Sequence, residues 1–187
     1  MYTRSQGLTL LELLVALAIA ATLAFYAVPA LSPWLHRQEA RSTALRFIQL
    51  VQYARVQAIE SRLPVIVCGS GSAAGCLHDW NRGTLVFIDR NDDGEMGPKD
   101  KLLAQYPPLS ERGVVTWRAA FGKPFFRALP TGRVSFTGNF TYCPRSGDAR
   151  LASRVIVNAA GRPRMARDRD GDGIVEDARG EAVDCRG

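Results

Sequence analysis

Two stretches of this chain carry closely spaced carboxylates. Asp89-Arg-Asn91-Asp-Asp93-Gly94 places oxygen-bearing side chains at alternate positions before a turn glycine, the arrangement a hard cation such as calcium needs. Its twelfth position is Asp100, a shorter carboxylate than the usual Glu. It lies between two β-type runs, and Asn, Asp and Gly are ordinary turn residues, so it reads first as a hairpin turn and only second as a calcium loop. Asp168-Arg-Asp170-Gly-Asp172-Gly173-Ile-Val-Glu176-Asp177 is denser in acid. Its twelfth position is Arg179, which rules out a full EF-hand loop. Left bare, these carboxylates repel one another; calcium at Asp168, Asp170 and Asp172 is one reading and a mobile solvated tail is the other.

Just before the second loop the charge has the opposite sign. Six arginines and one acid lie between Arg145 and Arg167, a local charge of +5. Arg154-Val-Ile-Val-Asn158 and Arg162-Pro163-Arg164 read as two strands joined at Gly161, and Pro163 restricts the second to an edge. Arg162 and Arg164 then point to one face about 7 Å apart. With Arg167 they could grip phosphates, the contacts that dominate sequence-independent DNA binding. Seven acids against two arginines follow between Asp168 and Asp184 and oppose that field, so a structural hairpin is the first reading and a DNA interface the second.

The four cysteines, Cys68, Cys76, Cys143 and Cys185, suggest disulfides in an exported domain. Of three pairings, Cys68 with Cys76 and Cys143 with Cys185 are favoured: one closes a short Gly/Ser/Ala loop, the other ties down the C-terminus. There is no CxxC, and only His36 and His78 are available, which argues against zinc. No nucleophile elbow, P-loop, paired-histidine motif or dinucleotide fingerprint occurs, so no enzyme is expected.

These residues need elements to hold them. The chain has 187 residues with 47% hydrophobic and 22% charged residues and a formal charge of +6, enough for one domain and an appendage and too short for a TIM barrel. The hydrophobic residues are unevenly placed. From Leu13 to Leu35 there is no charge, a length sufficient to cross about 30 Å of hydrocarbon as helix. Arg4 before it places the N-terminus in the cytoplasm and the remainder outside. Pro29 is expected to kink the helix. The run is too long for the apolar core of a secretory signal peptide. Glu12 lies at its start, where a carboxylate needs either hydration or a partner. Ala44, Phe47, Ile48, Val51, Ala54, Ala58 and Ile59 continue at helical spacing as a stripe that faces a globular domain, and Pro64 ends the helix. Short β runs follow: Val65–Cys68, Thr84–Ile88, Lys101–Tyr106, Val114–Trp117, Gly132–Phe136, Phe140–Tyr142 and Arg154–Asn158.

Gly7-Leu8-Thr9-Leu10-Leu11-Glu12 resembles the class III signal of type IV pilins and type II secretion pseudopilins, with Leu8 where the family usually has Phe. The resemblance implies cleavage after Gly7 by a prepilin peptidase and N-methylation of Leu8. It also implies that Glu12 pairs with the terminal amine of a neighbouring subunit as the helix joins a filament. The β-rich remainder is similar to the GspH/FimT branch of minor pseudopilins. The implied fold class is α+β, a long N-terminal helix, transmembrane in its first half, packed on a small antiparallel β-sandwich head. The implied segments are a leader 1–7, a transmembrane helix 8–35, an amphipathic continuation 36–63 and a periplasmic head 64–187. The expected partners are other pilins or pseudopilins, the peptidase and the inner membrane, with a position near the filament tip. Gly161-Arg162-Pro163-Arg164 resembles the GRxR motif of FimT-type minor pilins, which implies the alternative of double-stranded DNA binding in natural transformation. The acidic loop 168–173 resembles the short calcium repeats of extracellular proteins. A single-pass membrane enzyme or receptor unrelated to pilins is the third alternative.

Overall fold

The computed structural model describes residues 9–70, 76–77, 79–108 and 112–186, excepting the side chains of 28–30. Among the described residues one α-helix, α1 (Leu10–Ser61), is followed by nine strands and three short 3-10 turns. The strands are β1 (Val65–Ser70), β2 (Cys76–Leu77), β3 (Thr84–Ile88), β4 (Lys101–Tyr106), β5 (Gly113–Ala119), β6 (Phe126–Ala128), β7 (Gly138–Pro144), β8 (Ser153–Val157) and β9 (Pro163–Met165). The chain divides into two units, residues 1–36 and 37–187.

The described part of the first unit is helical from Leu10 on. Leu and Ala dominate it, and both favour helix. Thr9 caps its start: the Thr9 hydroxyl accepts the Glu12 N–H at 3.2 Å. The helix continues through Pro29. Residues Leu10–Ala27 are long and apolar enough to cross a membrane, and none of them is buried.

In the second unit the remainder of α1 lies against two antiparallel sheets. One runs β2-β1-β3-β4 with β6 also paired to β1; the other runs β5-β7-β8-β9. Every residue of β1 and β3 is buried, which explains their continuous rather than alternating apolar runs. Ala44, Phe47, Val51, Ala54 and Ala58 of the helix enter the core, joined by Ala40 and Leu50, so the buried stripe is wider than the spacing predicted. Phe140 is the centre of an aromatic cluster, stacked on Phe47 at 4.4 Å and tilted against Trp117 at 4.3 Å, with the Trp80 ring edge-on at 5.0 Å.

Two local expectations need correction, and one strand was not expected. Ile59 is 50% exposed although the neighbouring Ala58 is fully buried, so Ile59 lies at the margin of the buried stripe, near the turn at Gly132. Gly132–Phe136 is not a strand: the Leu129 and Gly132 N–H groups bond to the Arg133 and Leu129 carbonyls, and the chain turns, leaving one bridge between Val134 and Ala128. The strand that pairs in this region is β6, whose three residues are too few for a periodic signal. The helix ends as expected, with Arg62 at φ 56° just before Pro64.

Candidate functional site

Gly7 and Leu8 lie outside the described residues. Glu12 is exposed on the first turn of α1, where a carboxylate also complements the helix dipole. Thr9-x-x-Glu12 has the residue types of a capping box, a signal that sequence inspection could have found. Glu12 is therefore placed by local backbone chemistry, and its side chain stands on the surface of its unit.

The arginine hairpin is built by β8 and β9, paired through Ile156 opposite Arg164 and Val157 opposite Pro163. As its proline requires, β9 is an edge. Its turn closes tightly: the Gly161 N–H bonds to the Asn158 carbonyl at 2.8 Å and the Arg162 N–H to the Asn158 side chain at 3.0 Å. Gly161 is buried at φ 69°, and a Cβ there would stand 2.7 Å from Arg55 Nε and 2.9 Å from the Gly132 carbonyl. Arg55 is itself fixed, donating from Nε to that carbonyl at 2.8 Å. The glycine thus lets the turn dock on the helix, and the two arginines project beyond it. Arg162, Arg164 and Arg167 are exposed and form no ion pair among the described residues.

The two acidic loops share a backbone design. In the first, Asp89 Oδ2 accepts the Gly94 N–H at 3.0 Å, and Asp93 Oδ1 accepts the Glu95 N–H at 2.8 Å. Asn91 donates to Asp93, and Asp100 accepts from the Arg90 and Gly97 N–H groups, both at 2.8 Å. Asp89 is fully buried and pairs with Arg127 at 2.8 Å; Arg127 also bonds Asp92. Arg127 is the residue sequence reading missed, since it arrives from β6. The guanidinium supplies the positive charge beside Asp89, and the side-chain-to-backbone hydrogen bonds give the segment the form of a turn.

In the second loop Asp168 accepts the Gly171 and Gly173 N–H groups at 2.7 and 2.8 Å, and Asp172 accepts the Ile174 N–H at 2.7 Å. The Gly171 and then the Gly173 N–H hold the Asp168 carboxyl below its ordinary range. Asp168, Asp170 and Asp172 are exposed, whereas Glu176 is buried and takes the Arg169 N–H. One carboxylate oxygen from each of the four lies within 4.8 Å of the others, a donor set of the type a hard cation takes. Glu176, eight residues on from Asp168, was quoted in the motif but not assigned to it.

Both disulfides are present, Cys68–Cys76 and Cys143–Cys185. The second holds the C-terminal segment across the face of β5, β7 and β8. There Arg154 donates to the Thr141 hydroxyl at 3.0 Å and stands 4.0 Å from Asp177. Burial pulls the Arg154 guanidinium below its usual value, and Asp177 opposes the shift.

Comparison with known proteins meets this geometry at both ends of the chain. Residues 2–28 match the prokaryotic N-terminal methylation motif, and residues 43–161 match the type II transport protein GspH family. No curated protein matches. The type IV minor pilin FimU of Pseudomonas aeruginosa is similar in structure with a TM-score of 0.55 and 17% identity, over 72% of this chain and 92% of that one. The minor pseudopilin EpsH from the type II secretion system of Vibrio cholerae gives 0.51 and 18%, over 73% and 99%. A methylation motif on an apolar helix, continued by a β-rich domain that the family profile spans, identifies this chain as a member of the GspH family of pilin-like subunits.

Proposed function

We infer that the chain is a minor subunit of a type IV pilus or type II secretion pseudopilus, with a structural rather than catalytic task near the filament tip. The observation that carries this is the methylation motif over 2–28 on a helix whose first 18 residues are apolar and unburied. A prepilin peptidase cuts after Gly7, Leu8 becomes the methylated N-terminus, and the helix spans the inner membrane with the head in the periplasm. Glu12 pairs with the terminal amine of a neighbour, because each charge costs less in lipid when paired. N-terminal sequencing of chain recovered from membranes that contain the peptidase tests this. N-methyl-Leu8 is expected, and an intact Met1 overturns it. Glu12→Gln sharpens the test, since glutamine still serves a capping box and only the charge is lost. Filament incorporation is expected to fall with Gln and with Ala alike.

The second reading, double-stranded DNA binding, is favoured by the exposed, unpaired Arg162, Arg164 and Arg167 beside an open sheet edge. Salt-sensitive gel shifts lost in Arg162→Ala/Arg164→Ala support it, and no shift at low salt overturns it. A divalent cation at Asp168, Asp170, Asp172 and Glu176 is a subsidiary proposal. Calcium that leaves exchange of the Gly171 and Gly173 amides unchanged removes it.

A further inference from the structure

A cavity of about 280 Å³ opens between α1 and the β8–β9 sheet edge. At ~30 Å³ per water it holds about nine waters' volume, room for a phosphate and a stub of chain rather than a whole lipid. Its floor is apolar, formed by Ala152, Met165 and Val175 among others, and its rim carries Arg37, Arg41 and Arg150. No carboxylate lines it among the described residues. The polar groups of its wall are committed: the Ser153 hydroxyl donates to the Ala40 carbonyl at 2.8 Å, and Arg154 holds Thr141 and Asp177. Arg37, Arg41 and Arg150 are exposed and form no ion pair among the described residues. Glu39, which lies between two of them in sequence, does not neutralise them. Its carboxylate oxygens are buried, and its charge is felt at the Tyr142 hydroxyl. The acidic loop comes near through Gly173, where an added Cβ would stand 3.7 Å from the Arg150 stem.

Three cations over an apolar floor match one chemistry, an anionic head with a greasy tail. Position in the chain selects the source. Arg37 is the first charged residue after the uncharged stretch 13–35, and Arg41 is one helical turn later. Near an anionic lipid surface each arginine adds roughly fivefold in affinity. We propose that this pocket seats the headgroup of an anionic phospholipid, with Arg37, Arg41 and Arg150 on the phosphate and the start of an acyl chain over Ala152, Met165 and Val175.

The proposal rests on the membrane-anchored reading, which alkaline extraction of membranes tests by itself: release of the chain overturns anchoring and leaves the pocket to its own measurement. That measurement uses the full chain in neutral detergent micelles doped with phosphatidylglycerol or phosphatidylcholine, with bound lipid read by native mass spectrometry. Phosphatidylglycerol is expected to be retained in preference. Arg37→Gln/Arg41→Gln/Arg150→Gln is expected to lower its affinity on the order of a hundredfold without changing phosphatidylcholine, and Arg150→Gln alone, an exposed substitution, about fivefold. Ala152→Phe fills the floor with every charge intact and is expected to abolish the preference. Equal retention of the two lipids overturns the proposal, and so does a triple variant that binds as the parent does. Retention in Ala152→Phe reduces the site to surface charge and overturns the pocket. A second protein chain in place of lipid, lost in the same variants, overturns it in favour of a subunit interface.

Discussion

The two acidic loops begin with the same spacing and end in different chemistry. In each, the first aspartate accepts an N–H from the glycine five residues on, at 3.0 Å in one and 2.8 Å in the other. In each, the aspartate before that glycine accepts the N–H two residues later. The short side chains therefore bend both backbones alike, a purely local effect. What differs is how the charge is balanced. Asp89 is buried against Arg127, whereas Asp168, Asp170 and Asp172 remain at the surface, where they accept backbone N–H groups and form no ion pair among the described residues. A motif for carboxylate spacing thus reports a turn; whether the turn is a structural tie or an open donor set depends on what a distant strand brings to it.

Removing the Cys143–Cys185 bond tests the comparison most severely. The bond closes 42 residues of sequence separation and contributes about 4 kcal/mol in the chain-entropy view. Cys143→Ser/Cys185→Ser is expected to lower the denaturant midpoint accordingly and to expose the 168–176 amides to exchange while those of 89–94 stay protected. Asp89→Asn leaves Arg127 with only the exposed Asp92, and should cost about 3 kcal/mol by urea unfolding. Asp168→Asn should lower the midpoint far less, and equal effects of the two substitutions would erase the distinction between the loops. The turn glycines separate next. Gly94 has φ 81° with the Phe125 ring 2.9 Å from an added Cβ, so Gly94→Ala should cost about 2 kcal/mol. Gly173, at φ 90° with open space to 3.7 Å, should cost about 1.

The smallest effects are those of pH. The Asp168 carboxyl is depressed when folded, so its contribution is complete above the unfolded value of about 3.9 and is lost as pH falls through the lower folded value. Gly171 and Gly173 amide exchange should quicken there. Tyr142 gives the opposite sign. Burial, with the Glu39 charge second, pushes its hydroxyl up to about 12. Its contribution is present below the unfolded value of about 10 and declines as pH rises from there towards 12, which an alkaline unfolding series would detect.

Much of this molecule was legible because its signals are local. The uncharged run 13–35, the stop at Pro64, the edge position that Pro163 demands and the strands β3 and β4 depend on composition and on neighbours a few residues away. The failures share a cause. Gly132–Phe136 has strand-like residues but turns at Gly132 and keeps a single bridge, from Val134 to Ala128, while Phe126–Ala128 has a weak signal and pairs along the edge of β1. Gly161 is legible as a turn residue. That it must be glycine because Arg55 and the Gly132 carbonyl close over it is not.

By itself, then, the sequence determined the apolar helix, the Glu12 signal, the β character of the remainder and the bends at both aspartate loops, since propensity, spacing and turn chemistry act over a few residues. Tertiary structure alone decided that Arg127 neutralises Asp89, that Glu176 joins the second carboxylate group and that Arg37, Arg41 and Arg150 share one pocket. Asp89 and Arg127 lie 38 residues apart, Arg150 lies more than a hundred residues from Arg37 and Arg41, and Glu176 comes back to Asp168 only through the folding of the loop between them. Charge and packing act through space, where proximity is set by the fold and not by distance along the chain.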